Sequence, residues 1–60
     1  MVEFEKMLNG RRVVFESHIV RDRELWTFDI DDEGPSKMFS SKRMAYDSAL
    51  KKTRRMRSDV

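Results

Sequence analysis

Phe4-Glu5-Lys6-Met7-Leu8-Asn9-Gly10-Arg11-Arg12-Val13-Val14-Phe15-Glu16 decides the fold of this chain. Asn9-Gly10 is a strong hairpin signal, because a two-residue type I′ turn needs φ > 0 at both central positions. On its amino-terminal side, residues 2–8 alternate. Val2, Phe4 and Leu8 share one parity, and Glu3, Glu5 and Met7 share the other. That period marks a half-buried strand. Lys6 falls on the apolar parity and therefore belongs at an edge, with its stem on apolar surface and its ammonium in water. On the carboxy-terminal side a second strand spans about residues 12–20. Val13, Phe15, Ser17 and Ile19 share one parity there, and Arg12, Val14, Glu16, His18 and Val20 the other. The turn pairs Leu8 with Arg11, Phe4 with Phe15 and Glu3 with Glu16.

Working outward, Arg21-Asp22-Arg23-Glu24 is charged and turn-like. A third strand over residues 25–31 turns Trp26, Phe28 and Ile30 to one face and Leu25, Thr27, Asp29 and Asp31 to the other. With Asp22-Arg23 as the turn, Ile19 faces Trp26, Phe15 faces Ile30 and Glu16 faces Asp29. Arg21 and Glu24 are then placed to pair across that turn. Asp31 to Ser36 is a loop punctuated by Gly34-Pro35, and Lys37-Met38-Phe39 is a short extended piece. Ser40 or Ser41 caps a helix over residues 42–57. Ala45, Tyr46, Ala49, Leu50, Thr53 and Met56 form its apolar stripe. The expected architecture is α+β: a three-stranded antiparallel meander followed by one C-terminal helix packed on the sheet, β-β-β-α, in a single small domain. The inner layer is Val2, Phe4, Val13, Phe15, Ile19, Trp26, Phe28 and Ile30. Trp26 belongs to that core rather than to a stacking platform. Ser17, polar on the apolar parity, belongs at the sheet edge or against the helix.

Sixty residues without cysteine exclude disulfides, thiolate zinc sites and cysteine nucleophiles. The single His18 offers neither a metal constellation nor a nucleophile–base pair. Its place on the outer parity makes it a surface histidine. There is no Gly-rich phosphate loop, so the chain reads as a non-enzyme with no cofactor and no metal. No apolar run approaches the roughly 20 residues of a membrane span. The expectation is a cytoplasmic protein, a phage protein acting in host cytoplasm included. Charged residues make up 40% and aromatics 10%, a wet surface around a real core.

The charge is unevenly distributed. Residues 1–33 hold nine acids against five bases, and residues 34–60 hold two against eight, so parts of −4 and +6 make the net +2. The acids follow the strand parity. Glu3, Glu16 and Asp29 are expected in one outer row, with Glu5, Val14 and Asp31 in the next. Like charges facing one another destabilise a sheet. An acidic outer face also serves solubility and edge protection. As a functional feature, it is a surface for docking on a basic protein, one that handles nucleic acid, in place of phosphate. Val14, Val20 and Leu25, with Met7, add apolar patches to it, as protein interfaces do. The helix carries the opposite sign. Arg43, Lys51, Lys52, Arg54, Arg55 and Arg57 form the alternative site, a nucleic-acid contact driven by counterion release. Cations near a helix C-terminus are also favoured by its dipole alone. Oligomeric state is open between monomer and homodimer.

Leu25-Trp26-Thr27-Phe28-Asp29-Ile30, Asp32-Glu33-Gly34, Lys37-Met38-Phe39-Ser40-Ser41-Lys42, Ala45 and Ala49 together resemble the AP2-like, arm-binding amino-terminal domain of tyrosine recombinases. The resemblance covers about half of the chain and implies a three-stranded sheet with one helix. In that family the open sheet face is basic and meets DNA; here the same face carries Glu3, Glu16 and Asp29, which repel phosphate. In overall style the chain is similar to small bacteriophage accessory proteins, including inhibitors of the anti-CRISPR type. The function expected is thus a small non-catalytic binding protein that modulates or inhibits a basic partner. The alternative is a small DNA- or RNA-binding module using the basic helix.

Overall fold

The computed structural model describes residues 3–57, and for Arg57 the backbone alone. Strand β1 (Glu3–Leu8), strand β2 (Arg11–Val20) and strand β3 (Arg23–Ile30) form one antiparallel sheet in the order β1-β2-β3, and helix α1 (Lys42–Arg57) follows. This is the β-β-β-α architecture the periodicities require. The first hairpin turns at Asn9 and Gly10, with φ of 51° and 79°. Leu8 faces Arg11, Phe4 faces Phe15 and Glu3 faces Glu16.

The second hairpin corrects the expected register. Its turn is Arg21-Asp22, with φ of 51° and 65°, not Asp22-Arg23. The pairing moves by two residues, so parity survives but partners change. Phe15 faces Phe28, Val13 faces Ile30 and Glu16 faces Thr27. The tertiary structure supplies the reason. Either turn would place one Arg and one Asp in the left-handed region. Only the observed one sets Phe15 beside Phe28, with ring centroids 6.2 Å apart, under the helix. Ile19 lands opposite Glu24 and is 63% exposed instead of joining the core. The expected Arg21–Glu24 ion pair is not among those of the described residues.

A third tight turn follows at Asp31-Asp32, with φ of 52° and 61°, closed by the Glu33 amide donating to the Ile30 carbonyl at 3.1 Å. The chain then runs back along β3. Ser36 N–H donates to Phe28 O, the Phe28 amide donates to Ser36 Oγ, and Trp26 and Phe39 exchange both backbone bonds at 2.7–2.8 Å. The short extended piece expected at residues 37–39 therefore covers the β3 edge and brings Phe39 into the core. The β1 edge has no such cover among the described residues.

Helix α1 starts where Ser41 accepts the Met44 amide at 3.2 Å, so Ser41 rather than Ser40 is the cap. Its stripe buries Ala45, Ala49 and Thr53, flanked by half-buried Tyr46, Leu50 and Met56. Against it lie Leu8, Val13, Phe15, Trp26, Phe28, Ile30 and Phe39. Phe15 is the hub, stacked on Phe4 at 4.8 Å and on Tyr46 at 5.8 Å. The tip of the first hairpin is tied to the helix: Asn9 Nδ2 donates to Thr53 Oγ1 at 3.1 Å and to the Leu50 carbonyl at 3.4 Å. Asn9 thus serves the turn through its φ and the tertiary fold through its amide. Ser17 is on the central strand, on the helix-side parity and 1% exposed, so of its two expected places the sheet edge is excluded. Val2, expected in the core, lies outside the described residues.

Candidate functional site

Among the described residues, no strand or helix covers the face of the sheet away from α1. Its rows, read across the strands, are Met7 and Arg12; Glu5, Val14 and Asp29; Glu3, Glu16 and Thr27; His18 and Leu25; Val20 and Arg23. Strand parity therefore brings Glu3, Glu5, Glu16 and Asp29 together on one surface. Two assignments change with the second turn. Asp29 moves from the row of Glu16 to the row of Glu5. Asp31 leaves the sheet rows and stands just past the end of β3.

The five carboxylates are not equivalent. Asp31 Oδ2 accepts from Arg11 Nη1 at 3.0 Å, and its Oδ1 accepts the Arg12 amide at 3.3 Å. Glu5 Oε2 accepts from Arg12 Nε at 2.9 Å, while Arg12 Nη1 reaches Asp32 at 3.5 Å. Asp29 Oδ1 accepts the Gly34 amide at 3.3 Å and so shapes the following turn. Glu3 and Glu16 have no ion-pair partner among the described residues. They face each other directly. In ladder phase they form a non-hydrogen-bonded pair, whose Cα atoms lie only about 4.5 Å apart. Glu3 and Glu16 are thus a facing pair of uncompensated acids, while in the neighbouring row Arg12 offsets Glu5 and Asp29 stands outside the ion pairs. Arg12 stood on the outer parity in the sequence, but its choice of Glu5 and Asp32 needed the fold.

The titration behaviour follows these contacts. The hydrogen bond that Arg12 donates to Glu5, then the charge of Glu5 and those of Asp32 and Asp29, raises the pKa of the Arg12 guanidinium above its usual value. The hydrogen bond from Arg11 holds Asp31 below the ordinary carboxylate value of 3.8, against a smaller opposing effect of desolvation. A carboxylate depressed in the folded state contributes stability that is present above its unfolded pKa and is lost as pH falls through the folded one. We expect acid unfolding to begin below about pH 4. Asp31→Asn should flatten that limb relative to the parent, measured as urea midpoints from pH 6 to pH 2. An unchanged slope would remove Asp31 from the acid response.

His18 is outer-facing, as expected, but it has a partner: its Nε2 lies 2.8 Å from Thr27 Oγ1. Thr27 is buried beneath this contact although it shares the outer parity. On the opposite side of the molecule, Arg43, Lys51, Lys52, Arg54 and Arg55 are exposed along α1, and the side chain of Arg57 lies outside the description. Lys52 borders a depression of about 180 Å³ with Glu33, Phe28, Ile30 and Met56. The basic residues therefore do not converge on the acidic ones; the helix layer separates the two surfaces.

A third feature escaped sequence reasoning. Phe4, Lys6, Lys42, Arg43 and Tyr46 line a groove of about 500 Å³ between the β1 edge and the start of α1. Lys42 Nζ sits 4.7 Å from the centre of the Phe4 ring. Phe4 and Lys6 lie on β1 and the rest on α1, so no linear pattern signals the groove.

Among the described residues no group of three or more His, Asp or Glu side chains could hold a metal ion. No helix among the described residues is long and apolar enough to cross a membrane. No protein-family profile, no curated protein and no solved structure matches this chain.

Proposed function

We propose that this chain is a small non-catalytic binding protein whose open sheet face docks on a basic surface of a nucleic-acid-handling protein and modulates or inhibits it. The observation that supports this reading is the opposed pair Glu3 and Glu16. Their neighbours Glu5, Asp31 and Asp32 are each given an arginine, yet these two are left without one in a directly facing pair. Facing like charges destabilise a sheet by tenths of a kcal/mol, about 0.2–1 at most. A cationic partner would turn that repulsion into attraction. Val14 and Leu25, half-buried on the same face, supply apolar contact beside the charge. Small phage inhibitors of the anti-CRISPR type would act through such a surface. The sequence resemblance to recombinase amino-terminal domains would then be one of fold and not of DNA contact.

The test uses poly-L-lysine as the cationic probe, followed by fluorescence anisotropy of labelled protein across a salt series. The parent protein should bind despite its net charge of +2. Glu16→Lys with Asp29→Lys should weaken binding by about tenfold or more. Glu24→Lys with Asp47→Lys, an equal charge change away from the face, should have little effect. Equal losses in both double variants would mean that net charge, not this face, governs binding, and the reading would fall.

The exposed cations of α1 favour a second reading, a DNA- or RNA-binding module. It requires affinity for labelled duplex or single strands that falls steeply with salt and is lost on replacing Arg54 and Arg55.

A further inference from the structure

We infer that the uncovered edge of β1, together with the groove beside it, is a binding site for an extended peptide that adds as a fourth antiparallel strand. The peptide would place acidic and apolar side chains into the groove. The site is distinct from the sheet face discussed above.

The backbone carries the first part of the argument. The Asp31 amide donates to the Arg12 carbonyl at 2.9 Å, so Arg12 directs its backbone groups toward β3. Alternation along β2 then directs Arg11, Val13 and Phe15 toward β1, where they meet Leu8, Lys6 and Phe4. The amides and carbonyls of Glu3, Glu5 and Met7 therefore point away from the sheet. The other edge is closed by residues 35–39, but no described residue bonds these groups. An open edge is a template for another strand.

The side chains define the occupant. A strand laid along this edge would alternate between the two faces of the sheet. On the helix side its residues would enter the groove of Phe4, Lys6, Lys42, Arg43 and Tyr46. That groove has an aromatic floor and three cations on its rim, and no carboxylate lines it. It suits an apolar side chain flanked by acids. On the open side the same strand would stand beside Glu3 and Glu5, which excludes acids from that parity. A second copy of this chain is a poor fit, because a twofold pairing of β1 would bring two sets of Lys6, Lys42 and Arg43 together. A stacked nucleobase is also a poor fit. One face of Phe4 lies on Phe15 at 4.8 Å, and Lys42 stands over the ring at 4.7 Å.

The probe is the synthetic peptide Thr-Glu-Thr-Leu-Thr-Glu-Thr, blocked at both ends, titrated into labelled protein and followed by amide chemical shifts. Shifts should concentrate on residues 3–8 and 42–46. A peptide of the same composition with Glu and Leu spread over both parities should bind about tenfold more weakly or worse, as should one N-methylated at the central threonines. Lys42→Glu with Arg43→Glu should have the same effect, and Glu5→Pro, which removes an outward amide on an edge where proline is tolerated, should abolish binding. Glu16→Lys with Asp29→Lys should leave it intact, so this site and the acidic-face reading can fail separately. Three results would overturn the inference: indifference to N-methylation, concentration-dependent shifts of residues 3–8 without peptide, or tighter binding of a single-stranded oligothymidylate to the same residues.

Discussion

Phe15→Ala should leave the chain without a cooperative urea transition at room temperature. Phe15 is fully buried at the centre of the sheet and touches three other rings, those of Phe4, Phe28 and Tyr46. Removing a buried phenylalanine costs about 3–5 kcal/mol, the lost transfer energy plus the cavity left behind. A single core in a chain this short rarely supplies more than about 3–5 kcal/mol in total. The two magnitudes match, so one substitution consumes the whole stability. Ile19→Ala is the informative control. The same residue parity runs through Ile19, but its side chain is 63% exposed and faces Glu24. It should cost no more than about 0.5 kcal/mol, the range for surface positions. If Ile19→Ala were as damaging as Phe15→Ala, the register of the second hairpin would be wrong.

The second large effect is expected at Ala49, fully buried where α1 lies on the sheet. Leucine is nearly as good a helix former as alanine, and glycine costs about 1 kcal/mol in a helix interior. If Ala49 served only the helix, Ala49→Gly would be the worse substitution. The packing reverses that order. Three added carbons have no space between α1 and the layer of Phe15, Phe28 and Ile30, and overpacking a core costs about 1–3 kcal/mol. Ala49→Leu should therefore lower the urea midpoint more than Ala49→Gly does. Equal midpoints, or a Leu variant as stable as the parent, would show that the helix is free to move away from the sheet. Such freedom would also undo the groove, since Tyr46 and Arg43 are held in it by the same helix.

The candidate surfaces were legible to different degrees. The acidic face follows from parity alone. Glu3, Glu5, Glu16 and Asp29 alternate with apolar residues that must point to the helix, so no choice of turn could have moved them inward. Asp31 was misassigned because parity says nothing about where a strand stops; three consecutive acids at residues 31–33 left the end of β3 ambiguous, and the turn at Asp31-Asp32 removed Asp31 from the sheet. The inequality among the acids was invisible, because Arg11 and Arg12 choose their partners across strands 7 to 20 positions away. Lys6 was legible as an edge residue, but not as the rim of a groove.

What the sequence determined by itself is local and periodic. Asn9-Gly10 set the first turn and with it the register of β1 on β2. The alternation of residues 12–20 and 25–30 set the faces. The Ser40-Ser41 pair and the Ala45-Ala49-Thr53 stripe set the start of α1 to within a residue and its orientation, and the structure settled the cap on Ser41. Each of these is decided by backbone conformation or by burial of one face, both of which act within a few residues. The tertiary structure alone decided the second turn, the return of Phe39 to the β3 edge, the tie from Asn9 to Thr53 and the groove beside β1. Arg21-Asp22 and Asp22-Arg23 are nearly equal as turns, so the choice fell to whichever register placed the rings of Phe15 and Phe28 together beneath the helix, a contact between residues that only the folded chain brings side by side.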